Sequence, residues 1–204
     1  MGFYSRFIFP RLCDWAMSTP EFTQLRKSVL AEVKGEILEI GFGTGLNLGH
    51  YPEQVRSLAA VDPGAAMTRI ARARIEKSLI DVDLQSQSAE SLPFDTARFD
   101  CVVCTWTLCS IPDAQAAVRE VRRVLKPGGR FVFIEHGLSD EPSVQRWQRR
   151  LNPIQRRIGA GCRLDLDVEA AVRSQPFREV IVDRFLIQKS PRTHGTMYKG
   201  MAVK

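Results

Sequence analysis

Residues 39–52 read EIGFGTGLNLGHYP, and the strand pattern GEILEI of residues 35–40 leads directly into their closely spaced glycines. Glycine at such a position lets the backbone pass close to a ligand, because there is no Cβ in the way. The stretch is similar to the dinucleotide-binding fingerprint G-x-G-x-x-G, but its third glycine, Gly45, comes one place early. The sequence therefore predicts a ligand site where this strand ends, and the departures from the fingerprint bear on which ligand binds.

Strand and helix patterns alternate on the C-terminal side of this stretch. After the first strand, strand patterns occur in SLAAVD, VDLQSQ, FDCVVCTW and RFVFIEH and at residues 178–187 and 196–203. Helical patterns separate them at residues 65–78, in AQAAVREVRRVL, and near 142–158 and 167–175, with a short helix expected after the glycines and KPGG as a stop signal. Such alternation predicts an α/β fold with a mainly parallel sheet that is covered by helices on both faces.

Two helical patterns precede the first strand. The second begins at the start signal Thr19-Pro20-Glu21 and runs to about Val33. The first covers residues 3–16, where Pro10 interrupts apolar residues at helical spacing: Tyr4, Phe7, Ile8, Leu12 and Trp15. We divide the chain into an N-terminal helical lid, residues 1–34, and a ligand-binding domain, residues 35–204. A lid over an acceptor pocket is favoured for the first helix, and contact with a membrane surface is the alternative.

Two acidic residues indicate the kind of ligand. Glu39, at the end of the first strand, would repel a pyrophosphate at the glycine turn but would attract a cation. Asp62, at the end of the second strand, is suited to accept hydrogen bonds from both hydroxyls of a ribose. A ribose, a cationic group and no pyrophosphate are the features of S-adenosyl-L-methionine, and they disfavour a nicotinamide dinucleotide.

Four motifs occur in order between residues 35 and 136: EIGFGTG, AAVDPG, SAESLPFDTARFD and LKPGGRFVFIEH. By these motifs the chain resembles the class I S-adenosylmethionine-dependent methyltransferases, in their type 11 small-molecule branch. The resemblance implies a Rossmann-like, seven-stranded sheet whose last strand is antiparallel. Further stretches (GTGLNLGHYP, VVCTWTLCSI, REVRRVLKPGG, EHG, GCRLD and the final MAVK) are similar to the alkyl-thiol methyltransferase group. That second likeness implies a hydrophobic thiol as the methyl acceptor.

The family resemblance also implies which residues contact the cofactor. Glu39 would orient the ammonium group, Asp62 would hold the ribose, and Thr105 would lie near the methionine portion. Many relatives have Asp where this chain has Ser88, so the contact to the adenine amino group falls to Ser88 or Glu90. The full implied set is Glu39, Gly41, Gly43, Gly45, Asp62, Pro63, Ser88, Ala89, Glu90 and Thr105.

The acceptor decides whether the reaction needs a base. A thiol supplies its own nucleophile, because its pKa of about 8.5 leaves some thiolate at neutral pH. A hydroxyl or an ammonium acceptor would need a general base, for which His136 is the first candidate and Glu135 the second. A strand-end histidine that caps a carbonyl is the alternative interpretation of His136. Residues 105–108, TWTL, lack the Asn/Asp-Pro-Pro-aromatic clamp of many nucleobase amine methyltransferases.

Charge leaves two other functions open. The net charge is +6, and basic residues are concentrated in RWQRRLNPIQRRIGAGCR, residues 146–163. A solvated helix face is the simpler interpretation, and a surface for anionic lipid, which would suit a phospholipid amine acceptor, is the alternative. A non-catalytic S-adenosylmethionine-binding regulator is the third hypothesis. No nucleic-acid partner is expected, and the acceptor and the oligomeric state are left open.

The five cysteines are an odd number in a chain of ordinary size, which favours a reducing compartment over a disulfide framework. We therefore expect a cytoplasmic protein, with a peripheral position at the inner face of a membrane as the alternative. Cys101 and Cys104 are three apart on a strand pattern and should point to opposite faces of the sheet. They are predicted to be buried thiols, Cys109 is predicted to be a packed thiol, and no metal site is predicted.

Overall fold

The structure, a computed structural model, describes residues 8–64, 68–188 and 190–204. The strands, in chain order, are β1 (Ile37–Ile40), β2 (Ser57–Val61), β3 (Asp81–Gln85), β4 (Phe99–Thr105), β5 (Leu125–His136), β6 (Glu179–Leu186) and β7 (Thr196–Val203). The helices are α1 (Phe9–Met17), α2 (Pro20–Leu30), α3 (Thr68–Ile75), α4 (Ala114–Val124), α5 (Pro142–Ile158) and α6 (Val168–Arg173). Single 3₁₀ turns occur at Leu48–His50 and Leu108–Ser110. Among the described residues, no helix combines the length and the apolar character needed to cross a bilayer.

All seven strands form one sheet in the order β3-β2-β1-β4-β5-β7-β6. Strands β1 to β5 are parallel to one another, and β7 lies antiparallel between β5 and β6. This confirms the predicted Rossmann-like sheet with an antiparallel last strand. The strand order reverses between β1 and β4, and ligands of such sheets bind beyond the carboxyl ends of the strands at this point.

Two hydrophobic cores cover the two faces of the sheet. Leu38 and Cys104 belong to one core, whereas Ile37 and Cys101 belong to the other. The alternation follows from the two-residue period of a strand. It confirms that the two thiols of the Cys-x-x-Cys stretch are buried on opposite faces, so they cannot share a ligand.

Helix ends agree with local capping chemistry. The Thr19 side chain accepts a hydrogen bond from the Phe22 N–H at the start of α2, and Asp113 does the same for Ala116 at the start of α4. Pro10 lies in the first turn of α1, where its missing N–H costs no hydrogen bond. The predicted extension of this helix to residue 3 lies outside the described residues.

Three sequence predictions about elements differ in detail from the structure. The short helix expected after the glycine loop is a single 3₁₀ turn at Leu48–His50. Helix α2 ends at Leu30, three residues before Val33. The KPGG stretch ends the helix as expected, but it belongs to β5 because its backbone pairs with the end of the chain: the Gly128 N–H donates to the Lys204 carbonyl, and the Lys204 N–H donates to the Gly129 carbonyl, both at 3.0 Å.

Candidate active site

A cavity of about 490 Å³ opens beyond the carboxyl ends of β1, β2 and β4, and α1 forms one of its walls. Of the ten predicted cofactor residues, eight line it: Glu39, Gly41, Gly43, Asp62, Pro63, Ser88, Ala89 and Thr105. A second hollow of about 580 Å³ lies at the opposite ends of the strands, around Asp100 and Lys126, and none of the ten lines it. Although the second hollow is larger, the first cavity is identified as the site because the predicted cofactor residues line it.

The three glycines of the loop differ in what they do. All have positive φ angles: 73° at Gly41, 56° at Gly43 and 79° at Gly45. A Cβ at Gly41 would collide with the Thr107 side chain, whereas a Cβ at Gly43 would meet nothing nearer than 3.9 Å. Gly43 thus leaves space for a ligand against the backbone. Gly45 does not line the cavity and instead shapes the turn, with its N–H donating to the Phe42 carbonyl at 2.9 Å.

Asp62 fixes two loops at the mouth of the cavity. One carboxylate oxygen accepts the Gly43 N–H at 2.7 Å, and the other accepts the Gly64 N–H at 2.7 Å. Burial raises the pKa of Asp62, and these two hydrogen bonds oppose the shift. Each carboxylate oxygen has further lone pairs, so the group can still accept hydrogen bonds from a bound diol.

A buried polar network lies behind the glycine loop. Glu39 is only 1% exposed and accepts hydrogen bonds from Tyr51 Oη at 2.7 Å and from Asn47 Nδ2 at 2.9 Å. Asn47 in turn accepts from Arg26 Nε at 2.7 Å and donates to Thr105 Oγ1 at 3.1 Å. Burial raises the pKa of Glu39 to about 7, and the hydrogen bonds from Tyr51 and Asn47 oppose the rise. One end of the cavity is therefore lined by the Glu39 carboxyl group and the Arg26 guanidinium, and both form hydrogen bonds with the side-chain amide of Asn47.

The sequence interpretation missed Arg26, Tyr51 and the bridging role of Asn47. Arg26 is 3% exposed, although in the sequence it looks like an ordinary cation of an amphipathic helix. Its guanidinium also lies 5.2 Å from the centre of the Trp106 ring. Asn47 and Tyr51 belong to the stretch GTGLNLGHYP, so the only sequence signal for their role was the likeness of that stretch to the alkyl-thiol methyltransferases.

Ser88 and Glu90 were the alternatives for the adenine contact. Ser88 lines the cavity, and its hydroxyl donates to Glu90 at 2.9 Å. Glu90 is not among the lining residues; it also accepts the Asp113 N–H at 2.8 Å and so ties this loop to the start of α4.

Glu135 and His136, the two candidate bases, lie beside the cavity but do not line it. Glu135 is fully buried and accepts the N–H groups of Thr107 and Leu108 at 2.8 and 2.9 Å, so it supports the loop after β4. His136 is 8% exposed, and its Nε2 lies 3.4 Å from Cys162 Sγ, a thiol contact and not a carbonyl cap. A catalytic role for His136 stays a prediction.

Helix α1 is held across the cavity by an ion pair. Asp14 contacts Arg74 through both carboxylate oxygens, at 2.6 and 3.1 Å, and accepts from Thr44 Oγ1 at 2.6 Å. Thr44 belongs to the glycine loop, so α1 and this loop are joined directly. The α1 side chains that line the cavity are Phe9, Cys13 and Met17.

The part of the cavity away from Asp62 is mostly apolar. Phe9, Met17, Ile111 and Pro112 line it, together with the loop at 159–160 after α5. Among all described lining residues, the ionisable side chains are Cys13, Arg26, Glu39 and Asp62.

Trp106 lies between the polar and apolar parts of the cavity. Its φ is 51°, a strained value for a residue with a side chain, and Phe22 packs edge-on against its ring. Its indole N–H is buried and has no hydrogen-bond partner among the described residues. A buried donor of this kind at a cavity wall fits a site that is completed by a ligand.

The arrangement matches one type of ligand. A vicinal diol fits the carboxylate of Asp62, an amino acid zwitterion fits the Glu39–Arg26 pair, and the backbone can approach the ligand at Gly43. The apolar part leaves room for a second, uncharged molecule. Both molecules would lie in one enclosed space, as a transfer reaction requires.

Known proteins are similar to this chain over most of its length. The family profile described as "Methyltransferase domain" matches residues 38–133. The human protein "Thiol S-methyltransferase TMT1B" is 32% identical over 171 residues, which is 80% of this chain and 68% of that protein. The chain thus spans about two thirds of the length of the thiol methyltransferases that it matches.

Two further matches concern lipid and cofactor. The "Phosphatidylethanolamine N-methyltransferase" of Cereibacter sphaeroides is 28% identical over 127 residues, covering 61% of this chain and 62% of that protein. The crystal structure of the N-methyltransferase NodS of Bradyrhizobium japonicum, in complex with S-adenosyl-L-homocysteine, superposes with a TM-score of 0.66 at 16% identity. It covers 93% of this chain and 91% of NodS, so the likeness is one of fold.

Proposed function

Because the chain belongs to the class I S-adenosylmethionine-dependent methyltransferases, we propose that it methylates a small hydrophobic thiol. The protein is an enzyme, its cofactor is S-adenosyl-L-methionine, and S-adenosyl-L-homocysteine is the product.

We assign the cofactor contacts to the polar part of the cavity. Asp62 would accept hydrogen bonds from the two ribose hydroxyls while it keeps the Gly43 and Gly64 N–H groups. Glu39 would face the ammonium group and Arg26 the carboxylate of the methionine portion. Ser88 and Ala89, at the end of the loop after β3, remain for the adenine.

The observation that carries the thiol proposal is the chemistry of the apolar part. Of the ionisable residues that line the described cavity, Arg26, Glu39 and Asp62 are committed to the cofactor, and Cys13 remains as a thiol that carries its proton at neutral pH. Burial raises the pKa of the Cys13 thiol. An amine or a phenol would need a base in contact with it, whereas a thiol reaches its nucleophilic form by its own ionisation. The likeness to thiol methyltransferases over 80% of the chain supports the same choice.

The residues then have two tasks in the reaction: they position the cofactor and they enclose the acceptor. When bound, the cofactor supplies a methyl group that is already activated by a sulfonium. The Glu39–Asn47–Arg26 network fixes the methionine portion, so that its position relative to the acceptor is set before reaction. Trp106 and the side chains of α1 enclose the acceptor and keep water away from it. The acceptor thiol loses its proton to solvent, and its sulfur takes the methyl group.

A phospholipid amine is the second candidate for the methyl acceptor. The exposed basic and apolar side chains of α5 favour it. Five arginines of this helix are exposed: Arg146, Arg149, Arg150, Arg156 and Arg157. Among them, the apolar side chains of Trp147 and Ile154 are 56% and 60% exposed. The helix ends at Ile158, and residues 159–160 of the loop that follows line the cavity. An anionic lipid surface against α5 would therefore lie near the acceptor end.

An acceptor panel with methyl-labelled cofactor tests both candidates. The arms are an alkyl thiol, a phenol, a small amine and vesicles that contain phosphatidylethanolamine. We expect transfer to the thiol, with a rate that rises with pH and levels off near the pKa of the acceptor thiol. The shape of that profile should be the same in His136→Ala, because no protein base is needed.

Two results would refute the thiol proposal. One is methylation of the vesicle amine or the phenol with no transfer to any thiol. The other is a thiol profile whose midpoint stays unchanged when thiols of different pKa are compared, since a protein group would then control the rate. The variant Arg149→Glu/Arg156→Glu separates the lipid arm, because it should weaken transfer to vesicles and leave a soluble thiol unaffected.

A further inference from the structure

Three side chains that the reaction does not use come together behind the acceptor end of the cavity. Cys109 lies in the 3₁₀ turn after β4, His136 ends β5, and Cys162 lies in the loop after α5. Their possible ligand atoms all lie within 4.8 Å of one another. Cys109 Sγ is 3.7 Å from Cys162 Sγ, and Cys162 Sγ is 3.4 Å from His136 Nε2.

Two of the three separations between these atoms fit a tetrahedral metal centre. With zinc–sulfur bonds of about 2.3 Å and zinc–nitrogen bonds of about 2.0 Å, two ligands of a tetrahedron are about 3.8 Å apart for a sulfur pair and about 3.5 Å apart for sulfur and nitrogen. The sulfur–sulfur separation of 3.7 Å and the sulfur–nitrogen separation of 3.4 Å in the structure agree with these values. Thiolate and imidazole are also the donors that zinc prefers over harder cations such as magnesium.

The surroundings set this cluster apart from the other buried thiols of the chain. Cys109 is 2% exposed and His136 8%, so the donors are largely removed from water. Gln155 Nε2 lies 3.7 Å from Cys162 Sγ, and its Oε1 lies 3.2 Å from His194 Nε2, which gives the loop after α5 a polar support. Cys101 and Cys104, in contrast, are buried on opposite faces of the sheet.

We propose that Cys109, His136 and Cys162 bind a thiophilic divalent cation, with zinc as the first candidate and water as the fourth ligand. Ser110, which follows Cys109, and residues 159–160, which precede Cys162, line the cavity. The ion would therefore tie together two walls of the acceptor end and the end of β5. The site does not depend on which acceptor is methylated.

Cobalt is the direct probe, because Co²⁺ bound by thiolates in a tetrahedral site has sulfur-to-metal charge-transfer and strong visible absorption. The full chain is stripped with a chelator, kept reduced with a phosphine, and titrated with Co²⁺ and then with Zn²⁺. We expect one equivalent of Co²⁺ to produce both bands and one equivalent of Zn²⁺ to abolish them. The bands should be lost in Cys162→Ser and in His136→Gln and retained in Cys101→Ala, the control for a buried thiol on the other face of the sheet.

Folding is checked separately by circular dichroism and by binding of S-adenosyl-L-homocysteine, so that a misfolded variant is not counted. Cys109 is the most buried of the three cluster residues. The result for Cys109→Ser is therefore interpreted only if that variant passes this check. Absence of the bands in the reduced wild-type chain would overturn the proposal, and so would bands of equal strength in the cluster variants. Formation of a Cys109–Cys162 disulfide in a chain that binds no metal after reduction would identify a redox pair instead. If the bands form but no thiol is methylated, only the proposed acceptor fails.

Discussion

Glu39 is an acid whose charge depends on what occupies the cavity. It is 1% exposed, and its pKa of about 7 lies above its ordinary value of 4.5 because of burial. In the free protein it is thus largely neutral below neutral pH. An ammonium group beside it would favour the ionised form and lower its pKa, so cofactor binding should release a proton.

Cofactor affinity should consequently rise with pH. Below the pKa of the free protein, binding includes the cost of ionising Glu39, so the affinity for S-adenosyl-L-homocysteine should fall by up to about tenfold per pH unit. We expect a several-fold gain in affinity between pH 6 and pH 8 by calorimetry, and a flat, weaker profile in Glu39→Gln. An equally steep profile in that variant would assign the titration to another group.

The same shift has an opposite effect on the free protein. Unfolded Glu39 ionises near its ordinary pKa and folded Glu39 near 7, so its contribution to stability is complete at low pH and is lost as the pH rises from about 4.5 through 7. Between these values the ligand-free protein should lose free energy of unfolding relative to Glu39→Gln. Urea titrations of the two proteins at pH 5 and pH 7 report this difference.

At the scale of elements, α1 is joined to the rest of the site mainly through one side chain, Asp14. The Asp14 carboxylate joins it to Arg74 on α3 and to Thr44 in the glycine loop. Burial raises the pKa of Asp14, but the hydrogen bonds from Arg74 and Thr44 lower it. The net result is a pKa below the ordinary value. If α1 acts as a lid, this carboxylate is the latch that keeps it closed.

We expect Asp14→Ala to open the lid without unfolding the sheet. Release of S-adenosyl-L-homocysteine should become several-fold faster, and KM for the acceptor should rise more than kcat falls, because enclosure is lost while the cofactor residues remain. Stopped-flow displacement measures the release rate. A double-mutant cycle with Arg74→Ala isolates the latch, since the two substitutions together should cost little more than one.

Glu21→Ala is the matched control, because this acid lies on the neighbouring helix α2 and is exposed. Release rates equal to the wild type in Asp14→Ala would contradict the lid. In that case the exposed Trp15 of α1, 79% accessible, would point to the alternative contact with a membrane surface.

At the scale of the whole molecule, what could be predicted from the sequence is what local patterns encode. The succession of strands along the chain follows from the alternation of strand and helix patterns, and Gly43 and Asp62 are marked by their positions at strand ends. The seven-stranded sheet with an antiparallel last strand came from the family resemblance. Arg26 was missed because nothing in α2 shows that its guanidinium turns inward. The Cys109, His136 and Cys162 cluster was missed because its members are separated by 27 and 26 residues and only the folded sheet brings them together. Contacts between distant elements have no local pattern.

The cavity also couples the whole fold to its ligand. Its lining comes from α1, α2, the glycine loop and the loops after β2, β3 and β4 and after α5, so it exists only in the folded chain. A ligand that binds only the folded state stabilises it by about 2.7 kcal/mol at a concentration one hundred times its Kd. For a domain of this size that corresponds to a rise in Tm of about 5 to 11 °C.

We expect S-adenosyl-L-homocysteine to raise Tm by this amount and NAD to have no effect, because Glu39 opposes a pyrophosphate at the glycine turn. Asp62→Ala should lose most of the shift: each charge-assisted hydrogen bond is worth about 1.5–3 kcal/mol, and the Gly43 and Gly64 N–H groups lose their acceptor as well. Asp83→Ala, an exposed acid on the neighbouring β3, should keep the shift and serves as the control. Scanning calorimetry measures all four cases. A shift with NAD as large as that with S-adenosyl-L-homocysteine would contradict the exclusion of a pyrophosphate by Glu39. A full shift in a folded Asp62→Ala protein would mean that the ribose is held elsewhere, since the stabilisation would then come from contacts that this carboxylate does not make.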